Sequence, residues 1–267
     1  MTIAFDDDAA CSPPLLRVED VSVRFGPRVA VNAARFDLHP GEVLAVLGES
    51  GSGKTTLLNT IAARLAPTAG TVRWRDPDGA DWVDIHALPE ARRRELARTQ
   101  WGFVAQAATD GLRMGASAGA NVAERLLGIG WREYGSTRTE VERWMRRVEL
   151  DVARIDDSPT AFSGGMRQRL QIARNLVSSP RMVLLDEPTS GLDVSVQSRL
   201  LDLLRELVAR LQLAAIIVTH DLGVARLLAH RTLVMQAGDI VESGLTDRVL
   251  DDPRHPHTQL LVSSELP

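Results

Sequence analysis

Gly48-Glu49-Ser50-Gly51-Ser52-Gly53-Lys54-Thr55-Thr56 lies between an apolar, strand-like run, Val43 to Leu47, and a helical pattern of Leu57, Leu58, Ile61 and Leu65. Strand, glycine-rich loop and helix in that order are the setting that G-x-x-x-x-G-K-[ST] requires. The glycines let the backbone curl with its N–H groups inward. With the positive end of the following helix, those amides form a nest for the phosphates of a nucleotide. Lys54 adds a compact positive charge, and the Thr55 hydroxyl suits magnesium. Lys54 is also the only lysine in the chain, whose other thirty basic residues are arginine. Arginine's planar fork cannot replace an ammonium tucked under a phosphate loop, so the single lysine stands where exchange is least tolerable.

A second stretch supports the first. Val183-Leu184-Leu185-Asp186-Glu187 is an apolar strand that carries two carboxylates to its carboxyl end, the edge where open α/β sheets bind ligands. Beside a phosphate loop, Asp186 suits the magnesium ion and Glu187 the polarisation of the water that attacks the γ-phosphate. Trp101 to Ala105 is a further short apolar strand delivering Gln106 to the same edge. Ser163-Gly164-Gly165 precedes a long helical pattern with Ser163 at its N-cap. That stretch reads either as an ordinary capped helix or as a second anion site, which makes sense if it faces a nucleotide held by another subunit.

The 267 residues, 44% of them hydrophobic, suffice for one large α/β domain or a domain with a sizeable insertion. No apolar run approaches the roughly 18 residues of a membrane span. The beginning, with Asp6-Asp7-Asp8 and no basic lead, does not read as a signal peptide, so the expected location is the cytoplasm. The single cysteine, Cys11, suits a reducing compartment and excludes an intrachain disulfide. A net charge of -4 gives no reason to expect nucleic acid, and Arg92-Arg93-Arg94 reads as a solvated helix face.

Residues 1–14 read as a disordered leader. Leu16 to Val23 and Val29 to Leu38, split by Gly26-Pro27, form an antiparallel lead-in that Pro40-Gly41 turns toward the loop strand. Phe25, beside the split, reads from its surroundings as a core aromatic. Short strands are expected at Thr71 to Trp74 and Trp82 to Ile85, and a charged helix over Leu88 to Arg98. Residues 107–158 turn helical, with Val122, Leu126, Trp144, Val148 and Leu150 in phase, and are expected to be an inserted α-helical subdomain. A helix over Val194 to Leu211, a strand over Leu213 to Val218 ending at Thr219-His220-Asp221, and a hairpin about Ala237-Gly238-Asp239 complete the pattern.

In order and spacing, these motifs resemble those of the ATP-binding cassette (ABC) ATPases. Gly48 to Thr55 is similar to their Walker A motif, Gln106 to the Q-loop, Phe162-Ser163-Gly164-Gly165-Met166 to the signature, and Met182 to Glu187 to Walker B. Ser190-Gly191-Leu192-Asp193 is similar to the D-loop, and His220 to the switch histidine. The resemblance implies a P-loop NTPase of ABC type, α/β, with an antiparallel β lead-in. It implies a RecA-like core over 15–106 and 159–242, the helical insertion, and a C-terminal extension over 243–267. It implies a head-to-tail dimer, with the same or a homologous cassette, that sandwiches ATP between each phosphate loop and the opposing signature. In that arrangement Glu187 is the general base, and His220 and Gln106 complete the catalytic set. Thr55, Gln106 and Asp186 serve magnesium, and Gly48 through Thr56, Ser163, Gly164, Gly165 and Asp193 hold nucleotide. The same resemblance turns Phe25 from a core residue into the aromatic that stacks on adenine. Phenylalanine at 25 replaces the commoner tyrosine, and Phe162 and Met166 replace the family's leucine and glutamine.

Pro253-Arg254-His255-Pro256-His257-Thr258 resembles an element of the oligopeptide and dipeptide importer ATPases; His255 and His257 read as a surface tail rather than metal ligands. Trp101 to Val104, Asp110 to Arg113, Arg169 to Val177, Thr219 to Leu228 and Val241 to Pro253 are most similar to the cassette subunits of the carbon–phosphorus lyase system. That likeness implies an ATPase docking on a soluble lyase core in phosphonate breakdown. Two alternatives stay open: an importer subunit coupled to membrane permeases, and a clamp that binds ATP to hold a complex together and hydrolyses it to let go.

Overall fold

The computed structural model describes residues 13–76 and 81–265. Cys11 and nearly all of the expected leader lie outside the described residues. The alternation read from Leu16 onward produces β1 (Leu16–Phe25) and β2 (Arg28–Leu38), an antiparallel pair that extends from Leu16 opposite Leu38 to Phe25 opposite Arg28, with register shifts between Val18 and Arg24. β4 (Ala69–Arg75) adds to the other side of β1 and β5 (Trp82–Asp84) to β4, giving a four-stranded antiparallel sheet of order β2-β1-β4-β5.

The second sheet has six strands. β3 (Val43–Leu47), β6 (Trp101–Val104), β7 (Met182–Asp186), β8 (Ala214–Val218) and β9 (Arg231–Gln236) run parallel, and β10 (Asp239–Leu245) closes one edge antiparallel to β9. Their order is β10-β9-β3-β8-β7-β6. All residues of β3, β6, β7 and β8 are buried, because both faces of the sheet are covered. Leu44 and Val46 face a core shared with the antiparallel sheet and with α1 (Lys54–Ile61), while Val43 joins the opposite core.

That opposite core contains α5 (Gly164–Leu176), α6 (Val194–Leu211) and the helical segment, whose main elements are α3 (Ala118–Gly128) and α4 (Tyr134–Arg147). Val122, Leu126, Trp144, Val148 and Leu150 all lie in it with Leu170 and Leu176 of α5, so the helical segment and α5 pack through one apolar core. The charged helix, α2 (Glu90–Thr99), buries no residue completely.

Three expectations change. Leu65 is not on the loop helix, which ends at Ile61; Ala63 adopts φ +57°, and the N–H groups of Arg64 and Leu65 return to Asn59 O. Phe25 is not a core aromatic, being 52% exposed at the hairpin tip. The tail after residue 243 is not peripheral throughout. β10 runs on to Leu245, and α8 (Thr246–Asp251) follows α7 (Leu222–Leu228) in packing on the sheet's β9 side. α9 (Pro256–Glu265) folds back so that His257 is buried. The Glu242 carboxylate holds that return by accepting the N–H groups of Arg254 and His255 at 2.9 and 3.0 Å. Among the described residues, no helix is long and apolar enough to cross a membrane.

Candidate nucleotide site

Four parallel strands deliver chemistry to one edge: β3 ends in the glycine loop, β6 in Gln106, β7 in Asp186 and Glu187, and β8 in Thr219 and His220. The loop after β3 must be glycine-rich. Gly48 and Gly53 have φ of +147° and +108°, and a Cβ at either would overlap a carbonyl oxygen, that of Met235 or that of Ala30. Glu49, Ser50, Gly51 and Thr55 form the exposed rim of the loop, Thr56 is half-buried, and Ser52 is buried with its hydroxyl unpartnered. Lys54 curls back beneath it and donates to Gly48 O at 2.7 Å and Glu49 O at 2.9 Å. Burial holds the Lys54 ammonium below its usual pKa, against the opposing pull of Glu187, Asp186 and Glu49.

Thr55 donates its hydroxyl to Asp186 Oδ1 at 3.0 Å, joining α1 to the end of β7. Burial raises the Asp186 carboxyl above the usual carboxylate range and the charge of Glu187 adds to that, while the Thr55 hydrogen bond, Lys54 and Arg64 oppose it. Glu187 sits at φ +42°, in the left-handed region, with its N–H donated to Val218 O at 2.8 Å. Such backbone positions persist where surrounding structure over-determines them. Here the turn directs the carboxylate at two neighbours. Gln106 Nε2 donates to Glu187 Oε2 at 3.1 Å, and His220 Nδ1 lies 3.3 Å from Glu187 Oε1. Residues 106, 187 and 220 therefore meet, and Asp186 with Thr55 lies beside them.

A cleft of about 170 Å³ borders this trio, lined by Glu187, Thr189 to Leu192, Gln197 and Thr219 to Asp221. Two of its members were not singled out from sequence. Ser190 Oγ accepts a second bond from Gln106 at 3.3 Å, and Gln197 of α6 donates to Asp221 Oδ2 at 2.9 Å, tying the start of α6 to the turn that carries His220. Ser190 lay within a recognised motif; Gln197 had no signal beyond a polar residue on an amphipathic helix.

Ser163 caps α5, its Oγ accepting from Met166 N at 3.3 Å, and it is exposed together with Gly164. Gly165 is buried and packs against Val196, where a Cβ would overlap the valine side chain. Asp193 stands exposed before α6. These residues and Phe25 are not part of the Gln106–Glu187–His220 cluster. Ser163, Gly164, Asp193 and Phe25 are exposed, and Gly165 lies buried.

The residues fit a nucleotide polyphosphate. Glycines at positions where any side chain would collide, an orphaned buried Ser52 hydroxyl and a buried ammonium all surround one loop. Among the described residues, no group of three or more His, Cys, Asp or Glu side chains could hold a metal by itself. A hard cation here would draw on the Thr55 hydroxyl, the Asp186 carboxylate and oxygens of the nucleotide itself.

A second, larger groove of about 840 Å³ opens between the end of α1, α2, the loop 106–111 and helices α3 and α5. Six arginines line it, Arg64, Arg93, Arg94, Arg98, Arg125 and Arg174, against the four acids Glu90, Asp110, Glu124 and Asp186. Part of the basic run on α2 thus faces this groove.

Residues 31–190 match the family model described as ABC transporter. Over 253 residues, 95% of this chain and 98% of the relative, the sequence is 58% identical to an Escherichia coli (strain K12) protein named for phosphonates utilization, the ATP-binding protein PhnK. The oligopeptide transport ATP-binding protein OppD of Bacillus subtilis (strain 168) is 34% identical over 94% of this chain and 71% of its own length. Among solved structures, a dimeric post-hydrolysis state of the ATP-binding cassette MJ0796 bound to ADP and Pi matches with a TM-score of 0.77 at 27% identity, covering 87% of this chain and 99% of that one.

Proposed function

The chain belongs to the ABC transporter family of ATPases, and on that footing we propose that it is the cassette that docks on a carbon–phosphorus lyase core in the cytoplasm and couples ATP binding and hydrolysis to phosphonate breakdown. The observation that carries the catalytic half is the placement of the Glu187 carboxylate between Gln106 and His220, beside the Asp186–Thr55 pair. Phe25 stacks on the adenine, Gly48 through Thr56 cradle the phosphates, and Lys54 neutralises them. Magnesium, held through Thr55, Asp186 and Gln106, supplies charge neutralisation at the phosphate oxygens. Glu187 takes the proton from the attacking water, while Gln106 and His220 hold its two carboxylate oxygens and so fix the direction from which it acts. Ser163, Gly164 and Asp193, exposed and outside this cluster, serve with the buried Gly165 the nucleotide of a second cassette, the same chain or a homologous one, in a head-to-tail dimer. The dimeric state of the MJ0796 cassette supports this arrangement.

The docking half rests on the near full-length likeness to the phosphonates utilization protein. The arginine-lined groove supports it, because it reaches Gln106 and Asp110 and suits an acidic segment of a partner. The likeness to the oligopeptide transport protein favours the importer reading instead. Purification of tagged protein carrying Glu187→Gln, from cells grown on a phosphonate as sole phosphorus source, decides between them. Co-purification of lyase subunits, weakened by Arg113→Glu beside the groove, where Arg113 pairs with Glu124 at 3.6 Å, is the expected result, and recovery of an integral-membrane permease overturns it.

A further inference from the structure

β6 is the edge strand of the six-stranded sheet, so the outward backbone groups of Trp101, Phe103 and Ala105 have no neighbouring strand among the described residues. Side chains of α3 and α5 take the place of one. Arg125 donates to Trp101 O at 3.2 Å, Asn175 Oδ1 accepts from Phe103 N at 3.1 Å, and Gln171 grips Ala105 from both sides. Its Oε1 accepts from Ala105 N at 2.5 Å and its Nε2 donates to Ala105 O at 3.3 Å. Gln171 is fully buried, and Gly111 leaves it room, since a Cβ there would overlap the Gln171 side chain. One turn further along α5, Arg174 donates to Gly111 O at 2.7 Å and pairs with Glu124 at 3.0 Å.

Two successive side chains of α5 therefore hold the two ends of the loop 105–111, and Gln106 is the first residue inside the first grip. The same helix begins at Ser163, about two turns, or ~12 Å, before Gln171. We propose that Gln171, seconded by Arg174, is a positioning residue: by holding Ala105 and Gly111 it sets the path of the loop between them and so keeps the Gln106 amide on Glu187. A helix packed only through apolar contacts could slide along the strand edge; a paired amide grip on one residue's N–H and C=O cannot move without breaking both bonds. This inference rests on the assignment of Gln106 and Glu187 proposed above.

The test is a double-mutant cycle on steady-state ATP hydrolysis by the full chain, with nucleotide affinity measured by calorimetry and folding by thermal melting. Gln171→Met keeps the side chain's length and removes both bonds. Its kcat is expected to fall about tenfold with KM within twofold, because the phosphate loop lies on other elements. Combined with Gln106→Ala, it is expected to lower kcat no further than Gln106→Ala alone. Asn175→Leu strips an equivalent edge bond without touching the loop, and controls for loss of stability. Arg174→Met, which frees the Gly111 end and the Glu124 pair while leaving the Ala105 grip, is expected to show the same KM and kcat split, more weakly, and serves if Gln171→Met melts below the assay temperature. Unchanged kcat in Gln171→Met and Arg174→Met, or losses that multiply with Gln106→Ala, overturns the positioning role. If Gln106→Ala itself hydrolyses ATP at the wild-type rate, the assignment of Gln106 fails first, and the two failures are distinct.

Discussion

Replacing Glu187 with glutamine removes a base and a charge while leaving the shape. The side chain keeps one oxygen to accept from Gln106, and position 187 keeps the same left-handed backbone, so the fold should survive the change. A positioned general base contributes about 10² to 10⁴ in rate, which corresponds to ~3 to 5 kcal/mol in the barrier. The same substitution deletes the largest of the charges that favour the Lys54 ammonium, and it removes the charge that adds to burial in raising the Asp186 pKa. These effects oppose each other in ground-state affinity: Lys54 loses support, and Asp186 ionises more readily. ATP affinity should therefore move by less than tenfold while hydrolysis falls by a hundredfold or more. Phosphate release under saturating MgATP measures the rate, calorimetry measures affinity, and light scattering should show an ATP-held dimer that persists because its nucleotide is not consumed. A variant that hydrolyses ATP at the wild-type rate refutes the role given to Glu187.

Lys54→Ala should abolish measurable ATP binding with circular dichroism unchanged, since only two loop carbonyls lose their donor. Asp186 has a folded pKa above its unfolded one, so the stability it contributes is full below the unfolded pKa and is lost as pH rises through the folded value. At neutral pH, without magnesium, Asp186→Asn should accordingly melt higher, by ~2 to 4 °C for each kcal/mol relieved, and its melting point should no longer respond to magnesium in the presence of ATP. Phe25→Ala should weaken ATP by about 1 to 3 kcal/mol, if stacking of nucleic-acid bases is a guide, with no change in melting point, because half of the ring is exposed.

The strands that build the site were legible because a parallel sheet covered on both faces leaves unbroken apolar runs, and Val43 to Leu47, Met182 to Leu185 and Ala214 to Val218 are such runs. Each ended in the polar residues that matter. The order β10-β9-β3-β8-β7-β6 was not legible, since periodicity says which face is buried and nothing about which strand lies alongside. The meeting of Gln106 with Glu187, 81 positions apart, was expected only through resemblance. His257 was misread because its tail is polar in composition; its burial depends on Glu242, a residue of another element that captures the N–H groups leading into α9. Ala63 gave no local sign of the positive φ that ends α1 early. Gln171 and Asn175 looked like ordinary polar positions on a helix, because the edge they cover exists only once the sheet is assembled.

In the role proposed above, ATP occupancy of the cassette would govern its attachment to the lyase core. A ligand shifts such an equilibrium only by its differential affinity for the two states, so the claim predicts a nucleotide-dependent affinity. The direct measurement is the dissociation constant between purified Glu187→Gln protein and purified carbon–phosphorus lyase core, by interferometry, in MgATP and in MgADP. Binding at least about fivefold tighter in MgATP is expected, the lower end of ordinary allosteric coupling. Equal affinity in the two nucleotides, or no binding in either, would contradict it.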